Sequence, residues 1–427
     1  MKAKESNQKI EEKVLGEEKF SCVETPAVVI MKYLYIWRAR MKKLAVCLLV
    51  FLLASSVLFA AGSAEKKSGE KEVVIGVFQP LTGENGGGGY QEVLGIRYAN
   101  KVYPTVKING ETYNVRLVEA DNKSDKTEAV TAAQSLLSSG ASVIIGSYGS
   151  GVSIAAGDIF LDNQVPAIGA SCTNPQVTLG NDYYFRVCFL DPFQGTVMAN
   201  FAWQEGAKRA AVITQLGDDY SSGLGNFFSR AFRELGGNVV SEQRFQTNTT
   251  DFKSILTNIK AANPDVIFAP SSIATAPLII KQARELGITA KIMAGDTWEN
   301  SSIIENAGLS AEGVVLSTFF DDADPATAEA AKFIEGFKKY LVENRQPDII
   351  PAVSALGYDA YLTALQAIEK ANSTKGPAIR NALVGVDVEG VTGRIVFDAN
   401  GDADKDMAFI KVVENGQFKF LKTVSVI

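Results

Sequence analysis

Histidine is absent from all 427 residues. That excludes Ser-His-Asp and Cys-His nucleophile systems, histidine-ligated metals and imidazole proton shuttles. Cysteine is scarce at four residues, two of them (Cys22 and Cys47) near the N-terminus, so the chain is no disulfide scaffold. Basic residues are in deficit, 42 against 48 acidic. Residues 1–64 hold more basic than acidic residues, so losing them would deepen the acidic excess, which speaks against a nucleic-acid partner. What remains is ordinary globular composition, 46% hydrophobic and 21% charged, in a chain long enough for two domains.

One long uncharged apolar run, Leu44 to Ala61, follows Met41-Lys42-Lys43 and precedes Gly62-Ser63-Ala64. A basic start, an apolar stretch and small residues at the −3 and −1 positions make residues 41–64 a signal peptide, with a permanent membrane tether as the alternative. Residues 1–40 are then a non-native extension from a misassigned start, and 65–71 a linker. Export gives Cys172 and Cys188 an oxidising setting. They follow short apolar segments that should be neighbouring strands, which favours a Cys172–Cys188 bond over two small buried hydrophobes.

From residue 72 strands and helices alternate. Val73 to Phe78 is a continuous apolar run, as expected of a strand covered on both faces. A glycine-rich turn over Thr82–Gly89 leads to a helix at Gln91–Lys101. Asp125 reads as a helix cap, and Asp191 as another with Pro192 behind it. Long helices are expected at Pro325–Asn344 and Ala352–Ala371. An internal echo is more informative. Val143 to Ile145 and Val266 to Phe268 are each followed by a serine-containing turn, a helix, a strand, and polar residues at that strand's end. Ligands of open α/β sheets bind beyond the carboxyl ends of strands, and pockets favour domain interfaces. This singles out Ser150, Ser171, Cys172, Thr173, Ser271, Ser272 and Asp296.

The chemistry-bearing motifs fail on inspection. Gly86 to Gly89 is followed by Tyr90-Gln91, without the lysine of a phosphate loop or the third glycine of a dinucleotide fingerprint. Asp398-Ala399-Asn400-Gly401-Asp402 has its glycine fourth, where a calcium loop needs it sixth, and Phe409 at the twelfth position, where the loop needs glutamate, so it reads as a β-turn. No cofactor, metal or catalytic group is expected, and the chain reads as no enzyme. An α/β transferase or hydrolase is the rival class.

The chain resembles the periplasmic leucine/isoleucine/valine-binding proteins, the solute-binding components of ABC transporters for branched-chain amino acids. The likeness runs over nearly all of residues 72–427. Its carriers are Ile75 to Gly83, Val143 to Ser153, Ala170 to Pro175, Phe185-Arg186 with Asp191 to Gly195, Asp218 to Gly223, and Ala307 to Gly313. The resemblance implies an α/β fold of two doubly wound parallel-sheet lobes joined by a three-stranded hinge. Lobe 1 would be residues 72–190 with 320–402, and lobe 2 residues 191–319 with 403–427. It implies a monomeric, periplasmic or cell-envelope protein that captures an amino acid and delivers it to a membrane permease.

By the same resemblance Ser150 and Thr173 hold the α-carboxylate, helped by backbone groups of the Tyr148-Gly149-Ser150 turn and near Ser171. Asp296 pairs with the α-ammonium, and Tyr220 covers the ligand; Cys172 and Ser272 complete the site. Hydroxyls and helix-terminal N–H groups suit a carboxylate, and a buried acid suits an ammonium. Gly88 and Ser272 stand where the family has aromatic residues. A disulfide of some relatives has Ser124 and Gly149 in its places. The less aromatic pocket opens the choice to polar amino acids, to an amide or urea-type ligand, or to a tethered sensory ectodomain.

Overall fold

A computed structural model describes residues 71–425 except 326; the expected extension and signal peptide lie outside the described residues. The buried apolar run at Glu72–Gln79 is strand β1, and it sits in the middle of a six-stranded sheet. Around it lie β2 (Thr105–Ile108), β3 (Glu111–Asp121), β4 (Val143–Ile145), β5 (Ala167–Gly169) and β6 (Tyr184–Arg186), in the order β2-β3-β1-β4-β5-β6. All pairings are parallel except β2 with β3. Helices α1 (Gly86–Val102), α2 (Lys126–Ser138) and α3 (Ser150–Asp162) connect them.

The chain then restarts. Helix α4 (Asp191–Gln204) leads to β7 (Arg209–Gln215), α5 (Asp219–Glu234), β8 (Asn238–Phe245), α6 (Lys253–Ala262), β9 (Val266–Phe268), α7 (Ala276–Glu285), β10 (Lys291–Ala294), α8 (Ser301–Ala307) and β11 (Val315–Thr318). Helices α9 (Ala328–Glu343), α10 (Ala352–Ala371) and α11 (Gly376–Leu383) follow. A hairpin of β12 (Val388–Gly390) and β13 (Gly393–Ile395) comes next, then β14 (Met407–Glu414) and β15 (Gln417–Ser425). The second sheet runs β15-β14-β11-β10-β9-β7-β8. Its parallel part repeats the first sheet's pattern: β3-β1-β4-β5-β6 answers β8-β7-β9-β10-β11. Each sheet therefore reverses its strand order once, between β1 and β4 and between β7 and β9, and a crevice opens where the order reverses.

The chain passes between the two halves three times, after β6, after β11 and before β14. Two buried ion clusters pin these passages. Arg186 meets Asp402 at 2.5 Å, and Lys411 on β14 meets Asp321 at 2.9 Å and also Glu299.

Local chemistry sets the ends of helices. Asp125 caps α2, accepting from the N–H groups of Thr127 and Glu128. Asp191 does not cap α4: Leu190 holds that position and Asp191 is the first helical residue, buried. Its carboxyl group is turned towards Thr173 instead. Helix α1 starts at Gly86 rather than Gln91, so the glycine run is helical. A Cβ on Gly88 would fall inside the Tyr148 ring, and one on Gly89 would fall on the Pro80 carbonyl. Helix α9 starts after a Thr327 cap, later than Pro325 suggests.

The expected cysteine bond is absent: Cys172 and Cys188 are both free and buried. Their strands are neighbours, but the side chains serve different cores. Cys172 packs with Phe78, Val152 and Tyr184, and Cys188 with Phe189 and Val197.

Candidate functional site

A cleft of about 240 Å³ lies between the carboxyl ends of the two sheets. Its walls come from the segments after β1 (Pro80, Glu84, Asn85), β4 (Tyr148 to Val152), β7 (Gln215, Gly217, Asp218, Tyr220) and β9 (Ser271, Ser272), the four strands flanking the two reversals of strand order, with Ser124 to Lys126, Thr247 and Thr297 from beyond β3, β8 and β10. The halves are closed on each other around it. The Tyr148 hydroxyl donates to the Thr297 carbonyl at 3.1 Å. Ile273 N–H donates to the Asn85 side chain at 3.1 Å, and the Asn174 amide to the Asp219 carbonyl at 2.8 Å.

One end of the cleft suits an anion. Helix α3 begins at Ser150 with Gly149 before it and no side-chain cap, so the positive end of its dipole faces the cleft. The Ser150 hydroxyl oxygen accepts from Asn174 N–H at 3.2 Å, which leaves its O–H free to donate. Tyr148 N–H, expected to help here, is instead taken by the Gln79 side-chain oxygen at 2.9 Å. Ser171 likewise spends its hydroxyl on Glu92.

The inner end suits a cation. The Tyr220 hydroxyl, itself in the cleft wall, donates to Asp296 Oδ1 at 3.0 Å. Gln194 Nε2 donates to the same oxygen at 2.9 Å. The Thr173 hydroxyl and the Asp191 carboxyl group face each other, and neither they nor Gln194 Oε1 meets any further hydrogen-bond partner. Buried polar atoms left unmatched point to a missing donor. Burial pushes the carboxyl groups up, to about 8 for Glu92 and Asp191 and about 6 for Asp296. The charge of Asp296 adds to the rise at the other two. Asp296, the least raised of the three, is the member of the set that ionises most readily. Tyr148 and Tyr220 are held well above their ordinary range by burial and by Asp296, and stay neutral donors.

Of the residues picked out from sequence, Tyr148, Gly149, Ser150, Tyr220, Ser271 and Ser272 line the cleft, while Thr173 is buried outside its wall and Asp296 stands directly behind Tyr220. The Ser272 hydroxyl pairs with Thr275 at 3.0 Å. Cys172 does not belong: its thiol lies in the apolar core, and only its carbonyl matters, accepting from Arg186 at 2.8 Å. Gln79, Glu92, Asp191, Gln194 and Gln215 were missed. A polar residue ending an apolar strand, as at Gln79 and Gln215, was the available signal.

Glu92 makes stability pH-dependent. Its folded-state value of about 8 exceeds the ordinary 4.5, so the folded chain keeps a proton that the unfolded chain releases. The resulting stability is full below about 4.5 and is lost as pH rises through about 8. Glu92→Gln keeps the shape without an ionising group, so its melting temperature should fall less than the wild type's between pH 5 and pH 8.5. Parallel curves for the two proteins would contradict the assignment.

Two lobes of like topology, closed over a polar cleft at their switch points, define a hinged ligand trap. The periplasmic binding protein family model matches residues 72–417, and the chain belongs to that family. It is similar to a leucine-binding protein from Thermotoga maritima, at 36% identity and TM-score 0.77, covering 83% of this chain and 99% of that one. A branched-chain amino acid transporter substrate-binding protein from Streptococcus pneumoniae, solved with isoleucine, is 27% identical at TM-score 0.75, covering 83% and 100%. The Leu/Ile/Val-binding protein homolog 1 of Brucella melitensis is 28% identical over 355 residues, 82% of this chain and 92% of its own.

Proposed function

We propose that the chain is an extracytoplasmic receptor that captures one α-amino acid between its lobes and hands it to the membrane permease of an ABC importer. It performs no turnover of its own. Residues 72–190 with 320–402 and 191–319 with 403–427 act as the two lobes, and residues 41–64 direct export of a monomer.

What supports this reading is a polar cleft with the start of α3 in one wall and, behind Tyr220 in another, the buried carboxyl group of Asp296. The α-carboxylate sits at the start of α3, on the Ser150 hydroxyl and the first-turn N–H groups. The α-ammonium turns to Asp296, beside which Gln194 Oε1 is an unmatched acceptor. Tyr220 covers it from the second lobe. Closing the lobes strips water from both ligand charges, so each needs such a partner. An uncharged amide would leave the ionised Asp296 without a cation, which disfavours that alternative.

A thermal-shift screen with the twenty L-amino acids tests the reading. At least one should raise the melting temperature in a concentration-dependent way, as a ligand bound only by the folded state must. No shift with any of them would reject it.

A further inference from the structure

We propose that the captured amino acid has a side chain ending in a cationic hydrogen-bond donor, held between Glu84 and Asp218 beneath the Gln215 side-chain oxygen. The inference rests on the amino-acid reading and concerns the part of the cleft away from Asp296.

The wall there is mixed: Pro80, Val152, Tyr148 and Tyr220 supply apolar surface, while Glu84, Gln215 and Asp218 add two acids and an amide to it.

Gln215 ends β7 and is 1% exposed. Its Nε2 donates to both carboxylate oxygens of Glu84, at 2.9 and 3.0 Å. A carboxylate only accepts, so this contact fixes which end of the amide faces which way. The other end, Gln215 Oε1, is buried without a partner. It is an acceptor that asks for a donor from the ligand.

Charge points the same way. Glu84 comes from the first lobe and Asp218 from the second, so closure brings two acids into one cleft. Asp218 is pushed up to about 6, first by burial and next by the Glu84 charge. Lys126, in the same wall, is already matched by Asp219 at 2.7 Å. Asp218 also caps α5 through Tyr220 N–H, so it is held in place. A cation entering between the two acids relieves their repulsion and supplies the donor that Gln215 lacks. An aliphatic side chain does neither.

Calorimetry with L-lysine, L-arginine, L-leucine and L-isoleucine tests the proposal. Lysine or arginine should bind about 100-fold more tightly than leucine, because a site built for a donor rejects the analogue without one. Glu84→Gln and Asp218→Asn, which keep shape and cap, should each shrink the ratio of basic to aliphatic affinity about 10-fold or more. Leucine or isoleucine binding more tightly than both basic amino acids would overturn the subsite and leave amino-acid capture standing. So would an unchanged ratio in both variants. Binding of none of the twenty L-amino acids would reject the parent reading and the subsite with it.

Discussion

Asp296→Asn should all but eliminate amino-acid binding while leaving the fold as stable as before. The asparagine oxygen still accepts from Tyr220 and Gln194, the two side chains that hold Asp296 Oδ1, so the local geometry survives. Only the charge is lost. A buried ammonium deprived of its counter-charge costs on the order of 3–5 kcal/mol, a loss of roughly two to four orders of magnitude in affinity. The carboxyl group of Asp296 is already strained by burial, its pKa raised to about 6, so its removal does not cost folding energy. Calorimetry measures the first effect and denaturant unfolding the second. Wild-type affinity in Asp296→Asn would remove the ammonium assignment. Asp296→Ala, which also frees Tyr220 and Gln194, should be no better a binder.

Arg186→Met should lower stability by about 3–5 kcal/mol, the usual cost of removing one partner of a buried ion pair. Arg186 is completely buried. Its guanidinium reaches Asp402 at 2.5 Å, the Cys172 and Asn174 carbonyls at 2.8 and 2.5 Å, and the Thr178 hydroxyl at 3.0 Å. It thereby fixes the loop bearing Thr173 and ties it to the third passage between the lobes. Removal strands Asp402 and two carbonyls together. The midpoint of urea unfolding measures the loss. The double variant Arg186→Met with Asp402→Leu should recover part of it, since no lone charge then remains buried. A single variant as stable as wild type would show that the cluster contributes little.

How much of this was legible in sequence depends on where each residue's partner lies. Strand β1 and helix α10 stand out because a fully buried strand and a long helix impose continuous local patterns. Strands β2 and β15 lie at sheet edges, alternate or expose their residues, and show no apolar run. Strand β11 ends in Ser317-Thr318, so its apolar run is shorter than those of β4 and β9. The placing of Ser150 in the cleft wall and of Asp296 just behind it follows from the repeated strand–turn–helix pattern, because polar residues at strand ends converge at a switch point, whereas Tyr220 is picked out by the family resemblance alone. Arg186 and Asp402 are 216 positions apart, and nothing local to either discloses the other. The cysteines fail for a different reason. Adjacent strands bring backbones together, but the face each side chain takes depends on the loop beyond the strand, and here the two faces differ.

The central claim is that the cleft holds a zwitterion by both its charges. Titration calorimetry with the best L-amino acid from the screen, its N-acetyl derivative and its carboxamide tests it most directly. The amino acid should bind once per chain. Each derivative, lacking one charge, should bind at least about 100-fold more weakly, as expected when a buried partner loses its counter-charge. Equal affinity for either derivative would contradict the account and make the cleft a trap for a ligand without that charge.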